Sequence, residues 1–196
     1  MNITYVTSSE DAQHTISSSG KHMFFMHNYS GELTVDVHVA DAEVFIFGIY
    51  VGKGSDSFKV RTVQRHSVGR NVSDLFIKGV FYDNAKFHYE GLIRIDKGAQ
   101  QSNAYQKNQN LILSPSAYVD SRPFLEIQAN DVRCTHGSTT GAIDAEQLMY
   151  LNMRGLSPDD AQKLIVEGFI DDVFQRMEAL GCSTVASIRQ QVMGLA

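Results

Sequence analysis

Leu33-Thr34-Val35-Asp36-Val37-His38-Val39, followed closely by Val44-Phe45-Ile46-Phe47-Gly48-Ile49-Tyr50-Val51, decides the class of this fold. The first run alternates strictly. Leu33, Val35, Val37 and Val39 share one face, as in a strand with one side buried. His38 falls on the polar face and is expected to meet solvent. The second run is apolar almost throughout, the pattern of a strand covered on both faces.

The same character extends outward from about Lys21 to Thr135. Phe58–Val63, Leu75–Phe81, Phe87–Ile95, Asn110–Leu113, Phe124–Ile127 and Val132–Cys134 read as further short strands. Gly, Asn, Asp and Ser turns separate them, which suggests a sandwich, a barrel or a solenoid. The strands are short and even, and polar turn residues recur at Asn71, Asp83-Asn84, Asp96, Asn108 and Asn130-Asp131. Both features lean toward a solenoid. No clean repeat is visible, so on periodicity alone sandwich and solenoid stay open.

The β pattern ends in Val132-Arg133-Cys134-Thr135-His136-Gly137-Ser138-Thr139-Thr140-Gly141. If this segment is extended, Cys134 and His136 point to one face. A thiol and an imidazole so placed suit a soft or borderline metal, or a reactive pair. Two residues do not make a structural zinc site, which wants four ligands. The bland alternative is a buried cysteine and a satisfied histidine at a junction.

Helical signals follow. Asp144 with Gln147 predicts an N-cap and capping box, and Arg154-Gly155 a stop near Met153. Ser157-Pro158 opens a second helix as N-cap and first helical residue. Its expected apolar stripe is Ala161, Leu164, Ile165, Gly168, Phe169, Val173 and Met177. Gly181 ends it, and Ser183 to about Met193 is a third, shorter helix. The expected layout is a β domain, residues 1–141, then a helical appendage, residues 142–196. Three short helices bury little by themselves, so they must pack on the β domain or on a partner.

Composition narrows the function classes. The net charge of −5 argues against a general nucleic-acid binder. No apolar run approaches the ~20 residues that span a bilayer. The first residues lack the regions of a signal peptide, so a cytoplasmic protein is expected. A disulfide between Cys134 and Cys182 is not expected in a reducing compartment. His66-Ser67 hints at a hydrolase, but there is no nucleophile-elbow motif. Gly52-Lys53-Gly54-Ser55 lacks phosphate-loop spacing and reads as a turn.

The segment Leu125-Glu126-Ile127-Gln128-Ala129-Asn130-Asp131-Val132-Arg133-Cys134-Thr135-His136-Gly137-Ser138-Thr139-Thr140-Gly141-Ala142-Ile143-Asp144 carries a resemblance. With Glu146 to Ser157, Tyr89 to Ile93 and Asn108 to Ser114, it resembles the SufB/SufD family of iron–sulfur cluster assembly scaffold proteins, on the SufD side. SufB-like chains have Glu-His-Glu where this chain has Cys134-Thr135-His136-Gly137, and a cysteine near Gln109. The resemblance implies a right-handed parallel β-helix in a short form, or a piece, lacking the family's N-terminal helical region. It implies a scaffold subunit and not an enzyme, pairing with a SufB-like paralogue or with a second copy. It also implies a SufC-like ATPase docked on the C-terminal helices, with Leu156, Leu164, Ile165 and Phe169 as the docking residues. Cys134 and His136 would then contact iron or a nascent iron–sulfur cluster shared with the partner chain. The alternatives are a homodimeric docking solenoid without cluster chemistry, and a carbohydrate-active solenoid enzyme. The second would need paired carboxylates and exposed aromatics on one face.

Overall fold

The structure is a computed structural model that describes residues 3–6 and 11–194. Among the described residues, eleven strands are followed by three helices. The strands are β1 (Ile3–Val6), β2 (Ala12–Ile16), β3 (Gly20–His27), β4 (Gly31–Val37), β5 (Ala42–Gly52), β6 (Ser57–His66), β7 (Val72–Phe81), β8 (Lys86–Ile95), β9 (Asn103–Ile112), β10 (Tyr118–Ile127) and β11 (Arg133–Gly141). The helices are α1 (Ala145–Met153), α2 (Pro158–Ala179) and α3 (Val185–Met193). Odd strands form one parallel sheet in the order β1-β3-β5-β7-β9-β11, and even strands a second, β10-β8-β6-β4-β2. The chain therefore alternates between two sheets and climbs one strand per coil, as a β-solenoid does.

Register explains why no repeat is visible in the sequence. Glu43 lies beside Val72, Val72 beside Asn103, and Asn103 beside Arg133, so these coils step by 29, 31 and 30 residues. The earlier coils are shorter: Gly20 lies beside Ala42 and Ile3 beside Met23, steps of 22 and 20. Corners stack instead of sequences. Asp41, Arg70 and Gln101 occupy the same corner of successive coils, each with a left-handed backbone (φ 60–62°). Arg70 also pairs with Asp41 at 2.9 Å, tying two corners together.

The two-faced reading of Val44–Val51 holds. Val44, Ile46 and Tyr50 face the interior with Leu33, Val35, Phe58, Leu75, Ile77 and Phe87. Phe45, Phe47, Ile49 and Val51 face outward into a second core with Val166, Ile170, Val173, Phe174 and Met177 of α2 and with α3. Helices α2 and α3 thus roof the odd-strand sheet. A polar clamp fixes α2: Nζ of Lys78, 5% exposed, lies 2.8 Å from Asp172 and 4.2 Å over the Phe169 ring.

Several expectations are corrected. Strands β1 and β2 lie ahead of the expected start of the β pattern. Strands β9 and β10 begin seven and six residues earlier than apolar content suggested, and β11 runs on to Gly141. The buried stripe of α2 is Ala161, Val166, Ile170, Val173, Phe174 and Met177, of which all but Ala161 join the core over the sheet. Leu164 is 48% exposed and Gly168 is exposed, so neither belongs to it. The N-caps Asp144 and Ser157 stand where expected, Ser157 accepting from the Asp160 N–H, but Asp144 accepts from the Glu146 N–H and not from Gln147, so the expected capping box is replaced by a simple cap. Val39 falls outside β4, and His38 is exposed.

The interior changes character along the axis. It is apolar around β3 to β5, then takes in Thr62, Gln64, His66, Ser73, Gln106, Asn108 and Asn110, all buried. His66 Nε2 lies 2.8 Å from Ser73 Oγ, not near Ser67 as a nucleophile, and Nδ1 has no partner. Burial lowers its pKa from the ordinary 6.5 to about 4. A base that stays neutral when folded and charges when unfolded stabilises the fold fully above pH 6.5. That contribution, about 3 kcal/mol, is lost as pH falls from 6.5 through 4. Urea unfolding at stepwise pH should show this loss, and His66→Gln should flatten it. An equally steep profile in His66→Gln would assign the acid sensitivity to other groups.

Candidate functional site

The solenoid ends at β10 and β11, the last strands of their sheets, and there its interior opens to solvent. Ser138 of β11 donates to Ser121 of β10 across the interior at 2.9 Å, which fixes the inward face of β11. By strand alternation Cys134, His136, Ser138 and Thr140 share that face. The expected alignment of Cys134 and His136 is therefore present, at the mouth of the solenoid. Cys134 is half-buried against Ile93, Ile95, Ala99, Ala104 and Ala129, and His136 is exposed. Burial pushes the Cys134 thiol up, against a smaller opposing pull from the Ala104 backbone. The thiol thus stays protonated at neutral pH until a cation displaces its proton.

Sulfur and imidazole nitrogen form a donor set that suits iron or zinc. Two donors leave coordination incomplete. Among the described residues, no group of three or more His, Cys, Asp and Glu is placed to hold a metal ion. The two residues fit half of a site. Both cysteines are free, and Cys182 is buried in the outer core beside Thr184. Gln109, on the same strand as inward-facing Asn108 and Asn110, is half-buried and turned to the outer face.

The two strand edges beside this mouth differ. Arg133 donates its N–H to Ser102 at 3.0 Å, so alternate residues from Arg133 turn toward β9. Cys134, His136, Ser138 and Thr140 consequently present backbone N–H and C=O groups along a free edge. In β10, Tyr118 and Gln128 donate to β8, which places Pro123 on the free side, where it removes one donor. Proline blunts the even-strand edge. The odd-strand edge carries no proline and, after Arg133, no charge, so it is open to pairing. Leu125 and Ile127, 36% and 40% exposed, add apolar rim.

The expected docking residues separate. Phe169 is half-buried beneath Lys78 and serves the fold. Leu156 sits half-buried in the turn after α1, held by its N–H to Leu151 O at 3.3 Å. Ile165 borders a shallow groove with Tyr150 and Leu151. Leu164 is exposed, and on α1 the sequence reading missed Met149, Tyr150 and Met153, which are 60%, 57% and 78% exposed. Helix α1 buries none of its residues. The missed signal was apolar residues on all sides of a nine-residue helix, more than one face can bury.

A groove of about 770 Å³ lies elsewhere, on the outer face of the even-strand sheet. Glu32, Arg61, Glu90 and Arg122 stand in one register column across it. Arg61 bridges Glu32 at 2.6 Å and Glu90 at 3.0 Å. Arg122 holds Asp120 below the usual carboxylate range. These carboxylates are neutralised by arginine, a poor arrangement for a general acid facing a glycosidic oxygen. No helix among the described residues is long and apolar enough to cross a membrane.

Comparison with known proteins adds a second line of argument. The family profile described as "SUF system FeS cluster assembly, SufBD core domain" matches residues 6–169. The iron-sulfur cluster assembly protein SufD of Escherichia coli is 36% identical over 136 residues, covering 68% of this chain and 32% of that protein. SufD of Bacillus subtilis is 31% identical over 133 residues, covering 68% and 30%. The SufBD family protein slr0076 of Synechocystis is 33% identical over 100 residues, covering 51% and 22%. The chain thus spans about a third or less of the length of these relatives.

Proposed function

Because this chain belongs to the SufBD core family of iron–sulfur cluster assembly proteins, we propose that it is a SufD-like scaffold subunit and not an enzyme. It pairs through its open solenoid end with a SufB-like chain, and its helices dock a SufC-like ATPase. The observation that carries this reading is the coincidence of half a metal site with an unblunted strand edge. Cys134 and His136 supply two donors, and the same strand offers backbone groups to a neighbour. A partner strand laid along β11 would bring the remaining ligands. Iron and sulfide are the cargo of such a site, and a borderline thiolate–imidazole pair holds iron without committing it permanently. We propose that this subunit acts in the cytoplasm.

The edge provides a direct test. Ser138→Pro removes a backbone donor that the fold does not use and leaves the β9 ladder intact; it also removes the hydroxyl bond to Ser121, for which Ser138→Ala is the control. One lost interchain hydrogen bond and a displaced partner strand should weaken association with a SufB-like chain by about tenfold or more. Thermal unfolding of the free chain should move little. Unchanged affinity, measured by calorimetry with the purified partner, would place the interface elsewhere. Self-association of equal strength through the same edge would favour the homodimeric docking protein instead.

A further inference from the structure

Gln106 of β9 lies directly beside His136 of β11 in the parallel ladder, and both side chains occupy the inward face. Such neighbours are rooted about 4.8 Å apart, within reach of a side-chain hydrogen bond. The same two strands make that bond four residues along, where Asn110 Nδ2 donates to Thr140 Oγ1 at 3.2 Å. At the Gln106 position the bond is missing. Gln106 is 1% exposed, and neither its Oε1 nor its Nε2 has a hydrogen-bond partner.

Several groups around it are committed or apolar, while Gln64 in the same interior is likewise buried with neither amide atom partnered. Asn108 and Asn110 close on each other, with Asn110 Nδ2 donating to Asn108 Oδ1 at 2.6 Å. Tyr89 and Thr62 share a hydrogen bond of 2.8 Å. Leu75 occupies the ladder position on the far side. The fold nevertheless makes room for the carboxamide. A β-carbon at Gly91 would stand 2.1 Å from Gln106 Nε2, so the glycine's bareness is what admits it. A buried unpaired amide costs roughly 1–3 kcal/mol, a sizeable penalty to leave in an interior built around it.

We propose that Gln106 is a positioning residue for His136. Its Oε1 accepts a hydrogen bond from one ring N–H of His136, leaving the other nitrogen's lone pair directed out of the open solenoid end. A metal-binding histidine is commonly held in one tautomer by such a partner. This inference rests on the reading of His136 as an iron ligand and adds how the ligand is aimed. Ordered water bonded to the amide is the competing account.

The test uses the full chain labelled with ¹⁵N-histidine, at a pH where the ring is neutral. Long-range ¹H–¹⁵N correlations report the tautomer, and His136→Gln identifies the His136 signals. We expect one tautomer in the wild type and a mixture in Gln106→Met, which keeps size but loses the amide. Gln106→Glu, which keeps an acceptor oxygen, should restore one tautomer; Gln106→Asn serves if the buried acid unfolds the chain. Iron retained by the complex with the partner subunits should fall about tenfold in Gln106→Met. Identical tautomer populations in wild type and Gln106→Met overturn the inference and assign the amide to water. If the wild-type complex holds no iron while the tautomer still depends on Gln106, the scaffold reading fails and the positioning contact stands.

Discussion

Replacing Cys134 and His136 together with alanine should leave the solenoid folded and remove iron from the assembled complex. The fold loses little because the site lies at its end. His136 is exposed, and Cys134 is half-buried at the margin of a small cluster with Ile93 and Ala104. Truncating a partly buried cysteine costs about 1 kcal/mol, within what a domain of this size tolerates. The site loses everything this chain contributes, since no third donor residue stands nearby among the described residues. Reconstitution with ferrous iron and sulfide, followed by desalting, should give at least about a hundredfold less iron per complex, equivalent to 2.7 kcal/mol. The single variants should fall between. His136→Ala removes the exposed donor that meets the partner first, and Cys134→Ser tests whether sulfur is required. Iron and labile sulfide at wild-type levels in the double variant would end the claim that this motif touches the cluster.

Parts of this arrangement can be read from the chain, and the unreadable parts have physical causes. Val44–Val51 announces its two buried faces because both are apolar, one against the interior and one against α2. Asn103–Gln109 conceals a strand because two of its three inward residues, Gln106 and Asn108, are amides and the third, Ala104, is small, and β11 does so because its inward face holds Cys134, His136, Ser138 and Thr140. An interior that turns polar erases the signal on which strand recognition depends. The alignment of Cys134 with His136 follows from alternation alone. That they stand at a mouth depends on which strand is last to pair, a property of the whole stack. Helix α2 misleads for another reason: Val166, Ile170 and Phe174 form one apolar stripe, and Leu164 and Ile165 a second. Only the sheet chooses between them.

The second stripe points to the other large effect. Met153→Asp with Leu164→Asp should weaken docking of the ATPase by at least about a hundredfold without disturbing the fold. Met149, Tyr150, Met153 and Leu164 are all about half exposed or more, and α1 has no buried residue to anchor it. Covering a Met or Leu side chain contributes about 1.5–3 kcal/mol, so two buried in an interface account for a hundredfold or more. Methionine's flexible thioether suits a surface that must conform to a partner. Placing aspartate there asks the partner to desolvate a charge without a counter-ion, which adds to the loss. Removing the chain after Gly141 is a poorer experiment. It would uncover Phe45, Phe47 and Phe76, which α2 and α3 roof, and lost binding would then reflect a damaged sheet. Phe169→Ala separates the two roles: its ring lies under Lys78, so it should lower the melting temperature more than the affinity. Binding measured by calorimetry, with circular dichroism on each variant, distinguishes these outcomes. Wild-type affinity in the double aspartate variant would move the ATPase to another face and leave the exposed side of α1 to a different partner.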